Sequence, residues 1–270
     1  MHSTELKLIF LIETTSTHNA LYSGELVILP RLGFSPNPLL IKIPERINRD
    51  PTVLPSLTSP IPSPPMQIRH VINLHKGLTS LVVAGLMLAY GNFSVGPWVY
   101  LALHGTYGVL WLLKERIFPD RQWQQAIELP QAIVLFLLLG LYWLAPWLLI
   151  ASGAVPPLPL LAGAIALNLL GVFLHFASDA QKHFVLKVQP GLIEDGFFAR
   201  CRNTNYLGEV LIYLSFAMVA MHWQPYVVLA AFGLAVFLPN MRKKDQSLAR
   251  YPGFGAYRER SGLLLPRLLD

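Results

Sequence analysis

Long apolar runs decide what this chain can fold into. A helix that crosses a bilayer needs about 20 mostly apolar residues, and the two most apolar runs, residues 130–151 and 156–178, have that length. Weaker runs, two of them interrupted by Lys76 and His104, cover residues 72–91, 95–113, 206–222 and 223–240. The pattern predicts an all-α, polytopic membrane bundle of six transmembrane helices embedded in a lipid bilayer.

The basic residues predict how these helices are oriented. Only 13% of the 270 residues are charged, about half of the ~25% in a soluble domain. The connections at residues 91–95, 151–156 and 222–225 contain no Lys or Arg, whereas the alternate connections and the C-terminal tail are basic. This positive-inside pattern predicts a multi-pass protein with both termini in the cytoplasm. The net charge of +6 then belongs to a cytoplasmic face, which argues against a nucleic-acid site.

The first 65 residues differ in kind from the rest. They contain ten of the 22 prolines and end in a Pro- and Ser-rich segment that cannot form a helix or a central strand. Their apolar run at residues 6–12 is too short to span a bilayer and lacks the flanks of a signal peptide. We therefore divide the sequence into a disordered or spurious extension, residues 1–65, and a membrane domain, residues 66–270.

One polar stretch, residues 200–209, lies at the predicted cytoplasmic entrance of the fifth helix. It reads Arg-Cys-Arg-Asn-Thr-Asn-Tyr-Leu-Gly-Glu, and Asn205 and Glu209 share a helix face because they are four residues apart. In a purely structural interpretation, Asn205 caps the helix and Glu209 interacts with the helix dipole. That interpretation leaves the two neighbouring arginines without a role.

Several familiar site signatures do not occur in this sequence. Gly253 and Gly255 follow no predicted strand, so they do not form the Rossmann dinucleotide fingerprint. The single cysteine, Cys201, excludes a multi-cysteine zinc site, and the eight histidines lack the spacing of metal ligands. We therefore predict no bound metal.

The segment Arg202–Glu209 resembles the Arg-x-x-Asn-Tyr-x-Gly-Glu/Asp signature of steroid 5α-reductases and sterol reductases, an integral membrane superfamily. Further ordered similarities are found at Leu174–Asp179, Gly191–Phe198, Arg242, Tyr251 and Leu265-Pro266. The resemblance implies an NADPH-dependent reductase that acts on a C=C bond of a hydrophobic small molecule, such as a steroid, an isoprenoid or an enoyl lipid. Two arginines of the stretch suit the phosphates, and the full set of expected cofactor contacts is Asp179, Arg200, Arg202, Asn205, Tyr206, Glu209, Arg242 and Tyr251.

The expected catalytic residues are Tyr107 and His104. Steroid 5α-reductases use a Gln-Glu pair on an early helix and a Tyr on the next, and the first helix here has no such pair. Tyr107 is the remaining candidate for the donor to a substrate carbonyl, and His104, one turn earlier on the same face, would orient it. The alternative is that both side chains only form hydrogen bonds between helices.

Two other functions stay open at this stage. Isoprenylcysteine and phospholipid methyltransferases are similar in their C-terminal helices and bind S-adenosylmethionine through an Arg-His-Pro-x-Tyr-x-Gly motif and a later Glu-Glu pair. In this chain Asn203-Thr204 replaces His-Pro, and Lys244-Asp245 lies near the position of the pair. The second alternative is a non-catalytic lipid-binding protein, in which these polar side chains are structural.

Overall fold

The computed structural model describes residues 65–268, and this part of the chain is helical. Two isolated β-bridges, Gln67–Ala126 and Cys201–Gly262, are its only strand-like pairings within the described residues. The prediction for residues 1–65 lies outside them, apart from Pro65. The helices are α1 (Ile68–Tyr90), α2 (Val95–Ile117), α3 (Leu129–Ser152), α4 (Leu158–Val188), α5 (Thr204–Ala220), α6 (Gln224–Leu248) and α7 (Phe254–Arg260).

Two of the long helices are not regular throughout. Helix α3 passes through a 3₁₀ segment at Leu141–Trp143, and α6 contains a π-helical turn at Gly233–Phe237. Helices α3, α4 and α6 each have a proline within their first two residues, where the missing N–H would have no intrahelical partner. These prolines fix where the helices begin.

The predicted all-α membrane bundle is confirmed. Within residues 65–268, four helices are long and apolar enough to cross a membrane, namely α1, α3, α4 and α6. Helix α2 has 23 residues, but its glycines, aromatic residues and His104 reduce its hydropathy, and α5 has only 17 residues. Helix α1 qualifies although Lys76 interrupts it.

Glycines allow two pairs of helices to approach closely. A Cβ atom at Gly171 of α4 would lie 2.7 Å from the Gly208 carbonyl oxygen of α5, and one at Gly208 would lie 2.5 Å from the His175 nitrogen. On α2, a Cβ atom at Gly108 would lie 2.5 Å from the Lys76 carbonyl oxygen of α1. Small residues at such crossings are typical of membrane helices. The crossings bring the polar side chains of α1, α2, α4 and α5 into one interior.

The connections that carry the basic residues lie at one end of the bundle. There the start of α1 pairs with the segment after α2, since Ile68 donates its N–H to the Gln125 carbonyl oxygen at 3.1 Å. At the other end Asn92 donates to the Ile150 carbonyl oxygen at 3.0 Å, and the Trp147 indole N–H donates to the Tyr90 hydroxyl at 3.0 Å. The helices therefore alternate in direction, as the charge pattern predicts.

Two predicted helix ends are wrong. The fourth apolar run was expected to end at residue 178, but α4 continues to Val188, and the sixth was expected to end at residue 240, but α6 continues to Leu248. Polar residues end an apolar run without ending a helix, and the next breakers are Pro190 and Pro252. These polar extensions form much of the site described below.

Candidate functional site

Three adjoining cavities open at the basic end of the bundle, and Lys182 lines all of them. The largest has a volume of about 790 Å³ and lies between the end of α2, the polar end of α4 and Tyr251. The second, of about 500 Å³, lies between the segment after α2, the start of α5 and the end of α6. The third, of about 80 Å³, reaches Arg202 and Tyr257. We call these three cavities together the basic cleft.

The charge of the basic cleft is strongly positive. Among residues 65–268, Asp120 and Asp179 are its only acidic lining residues, and each is paired, with Lys182 at 2.9 Å and with Lys114 at 2.7 Å. Within the same part of the chain, the 500 Å³ cavity is lined by no acidic residue. The basic lining residues are Lys114, Arg116, Arg121, Lys182, Lys187, Arg202, Lys243 and Lys244. Such a surface attracts a polyanion.

Four of the predicted cofactor contacts lie directly on the two large cavities. Asp179 and Tyr251 line the 790 Å³ cavity, and Asn205 and Tyr206 line the 500 Å³ cavity. The Asp179 Oδ1 and Asn205 Oδ1 atoms are buried and have no hydrogen-bond partner among residues 65–268. A buried acceptor without a partner is unfavourable, so both atoms suit a ligand that carries hydroxyl or amide donors. The structure thus brings together residues that are far apart in sequence.

Arg202 has a different role from the predicted phosphate contact. Its guanidinium is 6% exposed and forms hydrogen bonds with both carboxylate oxygens of Asp245, at 3.0 to 3.2 Å. It also donates to the carbonyl oxygens of Ser261 and Arg258 and to the Ser261 hydroxyl. Because its N–H groups donate to other groups of the protein, Arg202 fixes the C-terminal segment rather than binding a phosphate through two parallel hydrogen bonds.

The C-terminal segment, residues 261–267, is held against the polar stretch by several further contacts. Gly262 exchanges backbone hydrogen bonds with Arg200 and Arg202 at 2.9 Å, and the Asn203 amide donates to the Leu263 carbonyl oxygen at 2.8 Å. The Tyr257 hydroxyl donates to the Phe198 carbonyl oxygen at 2.8 Å, and burial raises the pKa of Tyr257. The segment therefore fixes the loop that leads into α5.

The helix cap differs from the structural interpretation of the sequence. The N-cap of α5 is Asn203, and Asn205 lies inside the first turn, so Asn205 is not the cap. Its carbonyl oxygen lies 3.1 Å from His175 Nδ1, while its side chain faces the 500 Å³ cavity. Asn205 is thereby available to a ligand.

Three other predicted cofactor contacts do not line the basic cleft. Arg200 and Arg242 are exposed and line none of the three cavities. Glu209 also lies off the cleft, with its carboxylate within electrostatic range of Lys76 and His175. Lys243 and Lys244, the next residues after Arg242, occupy the cleft instead.

Sequence reasoning missed a buried cation on α1. Lys76 is 4% exposed and donates a hydrogen bond of 2.5 Å to the Tyr213 hydroxyl. Its Nζ atom lies 4.3 Å from the ring centre of Tyr107, 5.4 Å from that of Trp111 and 5.1 Å from that of Tyr213. We call these four residues the Lys76 cluster. The available signal was a lysine within an apolar run, because ionisable residues at bilayer depth are costly and tend to be functional.

The two predicted catalytic residues are both fully buried, but they do not form a pair. His104 Nδ1 lies 3.0 Å from the Tyr100 hydroxyl, and its ring stacks on Phe216 at 4.1 Å. It therefore does not orient Tyr107, and its contact with Tyr100 lies within α2 rather than between helices. The Tyr107 side chain instead faces Tyr213 of α5, with the two ring centres 6.1 Å apart and their hydroxyl groups interacting.

The Lys76 cluster and the basic cleft adjoin each other through Trp111. Lys114, which lines the cleft, has its Nζ atom 4.7 Å from the centre of the Trp111 ring, and Lys76 lies 5.4 Å from the same ring. The Trp111 ring also stacks on His175 at 6.0 Å. One aromatic side chain thus separates a polar cleft from a buried cation in the bundle interior.

Comparison with protein families matches residues 120–260 to the family described as Protein of unknown function (DUF1295). The chain belongs to this family. The DUF1295 segment covers just over half of the chain and contains every residue that lines the 500 Å³ cavity except Ile68. It does not include Lys76, His104 or Tyr107. Comparison with curated proteins gives no significant match.

Among residues 65–268, no three His, Cys, Asp or Glu side chains come together as metal ligands would.

Proposed function

We propose that this protein is a membrane-embedded, NADPH-dependent reductase that acts on a polarised C=C bond of a lipid-like substrate. The observation that carries the proposal is the basic cleft, in which Asp179, Asn205, Tyr206 and Tyr251 meet. Those residues come from the segments that resemble steroid 5α-reductases. The positive charge and the size of the cleft support the same ligand as the resemblance.

The chemistry of the cleft fits NADPH. The two large cavities, at about 790 and 500 Å³, fall in the range of small-molecule sites, which is roughly 300–1,000 Å³. The acid-free cavity offers Lys182, Lys243 and Lys244 to phosphate groups. Asp179 Oδ1 and Asn205 Oδ1 would accept hydrogen bonds from ribose hydroxyls or the carboxamide. NADPH, when bound, supplies a hydride to the substrate.

The residues of the chain then perform the remaining tasks. The lysines hold and orient the polyanion, and the carboxylate of Asp179 keeps its place through Lys114. Trp111 closes the bundle side of the cleft toward the Lys76 cluster, where a hydrophobic substrate would present its polar group. The apolar surfaces of α3 and α6 exclude water from that interior.

The alternative methyltransferase is less favoured by the charge of the cleft. S-adenosylmethionine carries a sulfonium cation, which a lining of eight basic and two acidic residues repels. Asp245, near the position of the Glu-Glu pair of those enzymes, is occupied by Arg202. A non-catalytic lipid-binding role leaves the polar cleft without a ligand.

The proposal also includes the orientation in the membrane. We propose six spans, formed by α1 to α6, with the basic cleft and both termini on the cytoplasmic side. The basic ends of the helices support this topology through the positive-inside rule. NADPH in the cytosol would then reach the cleft directly.

The test uses Lys243→Gln, which removes one charge from the acid-free cavity. Charge-assisted hydrogen bonds contribute about 1.5–3 kcal/mol, so we expect the NADPH affinity to fall by roughly 10- to 150-fold. A titration of NADPH into the detergent-purified protein, monitored through the fluorescence of NADPH, measures the change in affinity. Arg258→Gln is the matched control, because it also removes an exposed positive charge, and Arg258 lines none of the three cavities.

Two results would contradict the proposal. The first is that the wild-type protein does not bind NADPH. The second is that S-adenosylmethionine raises the melting temperature and NADPH does not, since a ligand at ~100 times its dissociation constant stabilises by ~2.7 kcal/mol.

A further inference from the structure

Three exposed basic residues of the 790 Å³ cavity have charges that no carboxylate of residues 65–268 balances within 4.0 Å. Arg116 lies on the last turn of α2, Arg121 in the segment after it, and Lys187 on the last turn of α4. The less exposed Lys114 and Lys182 of the same cavity are paired with aspartates. We call Arg116, Arg121 and Lys187 the basic rim.

Exposed apolar side chains lie next to the basic rim. On the last two turns of α4, Phe184 and Val188 are 48% and 87% exposed, and Ile117 at the end of α2 is 60% exposed. Phe184 and Val188 share a helix face because they are four residues apart. The Phe184 ring centre lies 5.7 Å from Lys187 Nζ and 6.4 Å from the Phe118 ring. Basic and apolar side chains therefore form one amphiphilic surface across the ends of α2 and α4.

This surface lies at the boundary of the bilayer in the proposed six-span topology. Arg116 is about 31 Å along α2 from Val95 at 1.5 Å per residue, and the hydrocarbon core is about 30 Å thick. The contact between Phe118 and Phe184 places the end of α4 beside this level. The basic rim is therefore within reach of lipid headgroups, and the apolar side chains are within reach of acyl chains.

An anionic phospholipid has both properties that the surface requires. Arginine donates two parallel hydrogen bonds to phosphate oxygens, and anionic lipids of the cytoplasmic leaflet attract basic residues near the membrane. A contiguous exposed apolar patch usually marks an interaction site, and acyl chains would cover it. A free phosphate would satisfy the basic rim but leave Ile117, Phe184 and Val188 exposed.

We propose that the basic rim binds the phosphate of an anionic phospholipid, whose acyl chains lie against Ile117, Phe184 and Val188. This inference goes beyond the proposed function, because it uses the proposed orientation in the membrane but not the cofactor. The lipid occupies the outer side of the 790 Å³ cavity and leaves the acid-free 500 Å³ cavity open to another ligand. The bound headgroup thus forms part of the wall of the basic cleft.

The first measurement compares an anionic with a zwitterionic lipid. Detergent-purified full-length protein is titrated with dioleoylphosphatidylglycerol or with dioleoylphosphatidylcholine, and native mass spectrometry gives the dissociation constant of the first bound lipid. Each basic residue near an anionic headgroup contributes roughly fivefold in affinity. We therefore expect the triple variant Arg116→Gln, Arg121→Gln, Lys187→Gln to bind phosphatidylglycerol about 100-fold more weakly than the wild type does. Phosphatidylcholine should bind the wild type at least about tenfold more weakly than phosphatidylglycerol.

A matched triple variant controls for net charge. Arg242→Gln, Arg258→Gln and Arg267→Gln together also remove three exposed positive charges, and none of these residues lines any of the three cavities. We expect its affinity for phosphatidylglycerol to stay within about threefold of the wild-type value, because salt screens charges that do not contact the headgroup. Thermal unfolding in phosphatidylcholine checks that both triple variants fold.

A second pair of ligands tests the apolar half of the site. The double variant Phe184→Ser, Val188→Ser should bind phosphatidylglycerol about tenfold or more weakly, because it loses two large exposed apolar side chains. Its affinity for glycerol 1-phosphate, the headgroup without acyl chains, should equal that of the wild type. Equal affinity of the wild type for glycerol 1-phosphate and for the lipid would overturn the proposal and make the basic rim a site for free phosphate.

The remaining outcomes separate this proposal from the reductase. Equal losses in the two triple variants would mean that net charge alone attracts the lipid. Rim-dependent binding of hexaglutamate, without preference for phosphatidylglycerol, would make the ligand an acidic protein segment. Displacement of phosphatidylglycerol by NADPH, with both affinities lowered equally in the rim variant, would assign the three residues to the cofactor. Each of these results overturns the lipid site. Rim-dependent binding of phosphatidylglycerol without any binding of NADPH supports the lipid site and overturns the reductase.

Discussion

At the scale of single residues, Glu209 is where the resemblance and the geometry disagree. The resemblance predicts a contact with the cofactor, whereas the structure places the carboxylate off the basic cleft and within electrostatic range of Lys76. Glu209 is only partly buried and forms no ion pair within 4.0 Å among residues 65–268. Its position is therefore that of a distant counter-charge for the buried ammonium.

The substitution Glu209→Gln distinguishes these roles. If Glu209 does not contact the cofactor, as its position off the cleft indicates, the NADPH affinity of the variant stays within about twofold of the wild-type value. The stability falls by about 1–2 kcal/mol, which is the Coulomb energy of two charges roughly 8–15 Å apart at an effective dielectric constant near 20. NADPH titration and thermal unfolding of the purified protein measure the two quantities. A decrease in affinity of tenfold or more would restore Glu209 to the cofactor site.

The same scale shows what the sequence could reveal of the site. Asp179, Asn205, Tyr206 and Tyr251 were expected to act together, and all four line the basic cleft. Lys182 was predictable in principle, because it follows Asp179 by three residues and would share its face on a longer helix. It was missed because α4 was expected to end at residue 178.

At the scale of elements, a π-helical turn in α6 lies upstream of Arg242, which the resemblance placed at the cofactor, and of Lys243, which lines the cleft. A π turn inserts one residue into the helix, and one residue turns the following side chains by about 100°. The turn at Gly233–Phe237 precedes both residues, so the face of α6 that enters the cleft cannot be read from a regular period. Hydropathy also gave no sign that α6 continues to Leu248.

Sequence patterns could not predict where the helices cross either, although the crossings position the site. Gly171 lies in an apolar run and Gly208 in the polar stretch, and only the structure shows that their backbones meet. The crossing sets the distance between His175 on α4 and Asn205 on α5, whose contact is 3.1 Å. Any change in this spacing alters the wall of the 500 Å³ cavity.

We expect Gly171→Ala to destabilise the protein by about 1–3 kcal/mol, the usual cost of overpacking. The added methyl would lie 2.7 Å from the Gly208 carbonyl oxygen and 2.9 Å from the Ile212 nitrogen, both of which are backbone atoms that cannot rotate away. Gly163→Ala on the same helix is the control, since its nearest neighbour is Met218 Cε at 3.9 Å. Thermal unfolding in detergent measures both, and an equal melting temperature for the two variants would contradict the crossing.

At the scale of the whole molecule, the alternation of basic and uncharged connections was sufficient to predict the arrangement of the bundle. The structure puts the connections after α1, α3 and α5 at one end, where Asn92 contacts Ile150 and where His222 lies 3.1 Å from the Ser152 hydroxyl. The basic connections converge at the other end and form the cleft. By length and composition, four helices of residues 65–268 could cross a membrane, because α2 is less apolar than the others and α5 has only 17 residues.

The number and direction of the spans can be tested by labelling. In a Cys201→Ser background, single cysteines at positions 154 and 223 should react with a membrane-impermeant maleimide from the non-cytoplasmic side only. Cysteines at positions 187 and 243 should react only after the membrane is permeabilised, because both positions lie at the basic, cytoplasmic end and are exposed. If α2 and α5 did not cross, the ends of α1 and α3 would lie on opposite sides, and the Asn92–Ile150 contact could not form. Labelling of position 154 or 223 from the cytoplasm would therefore exclude the six-span topology and with it the cytoplasmic supply of NADPH.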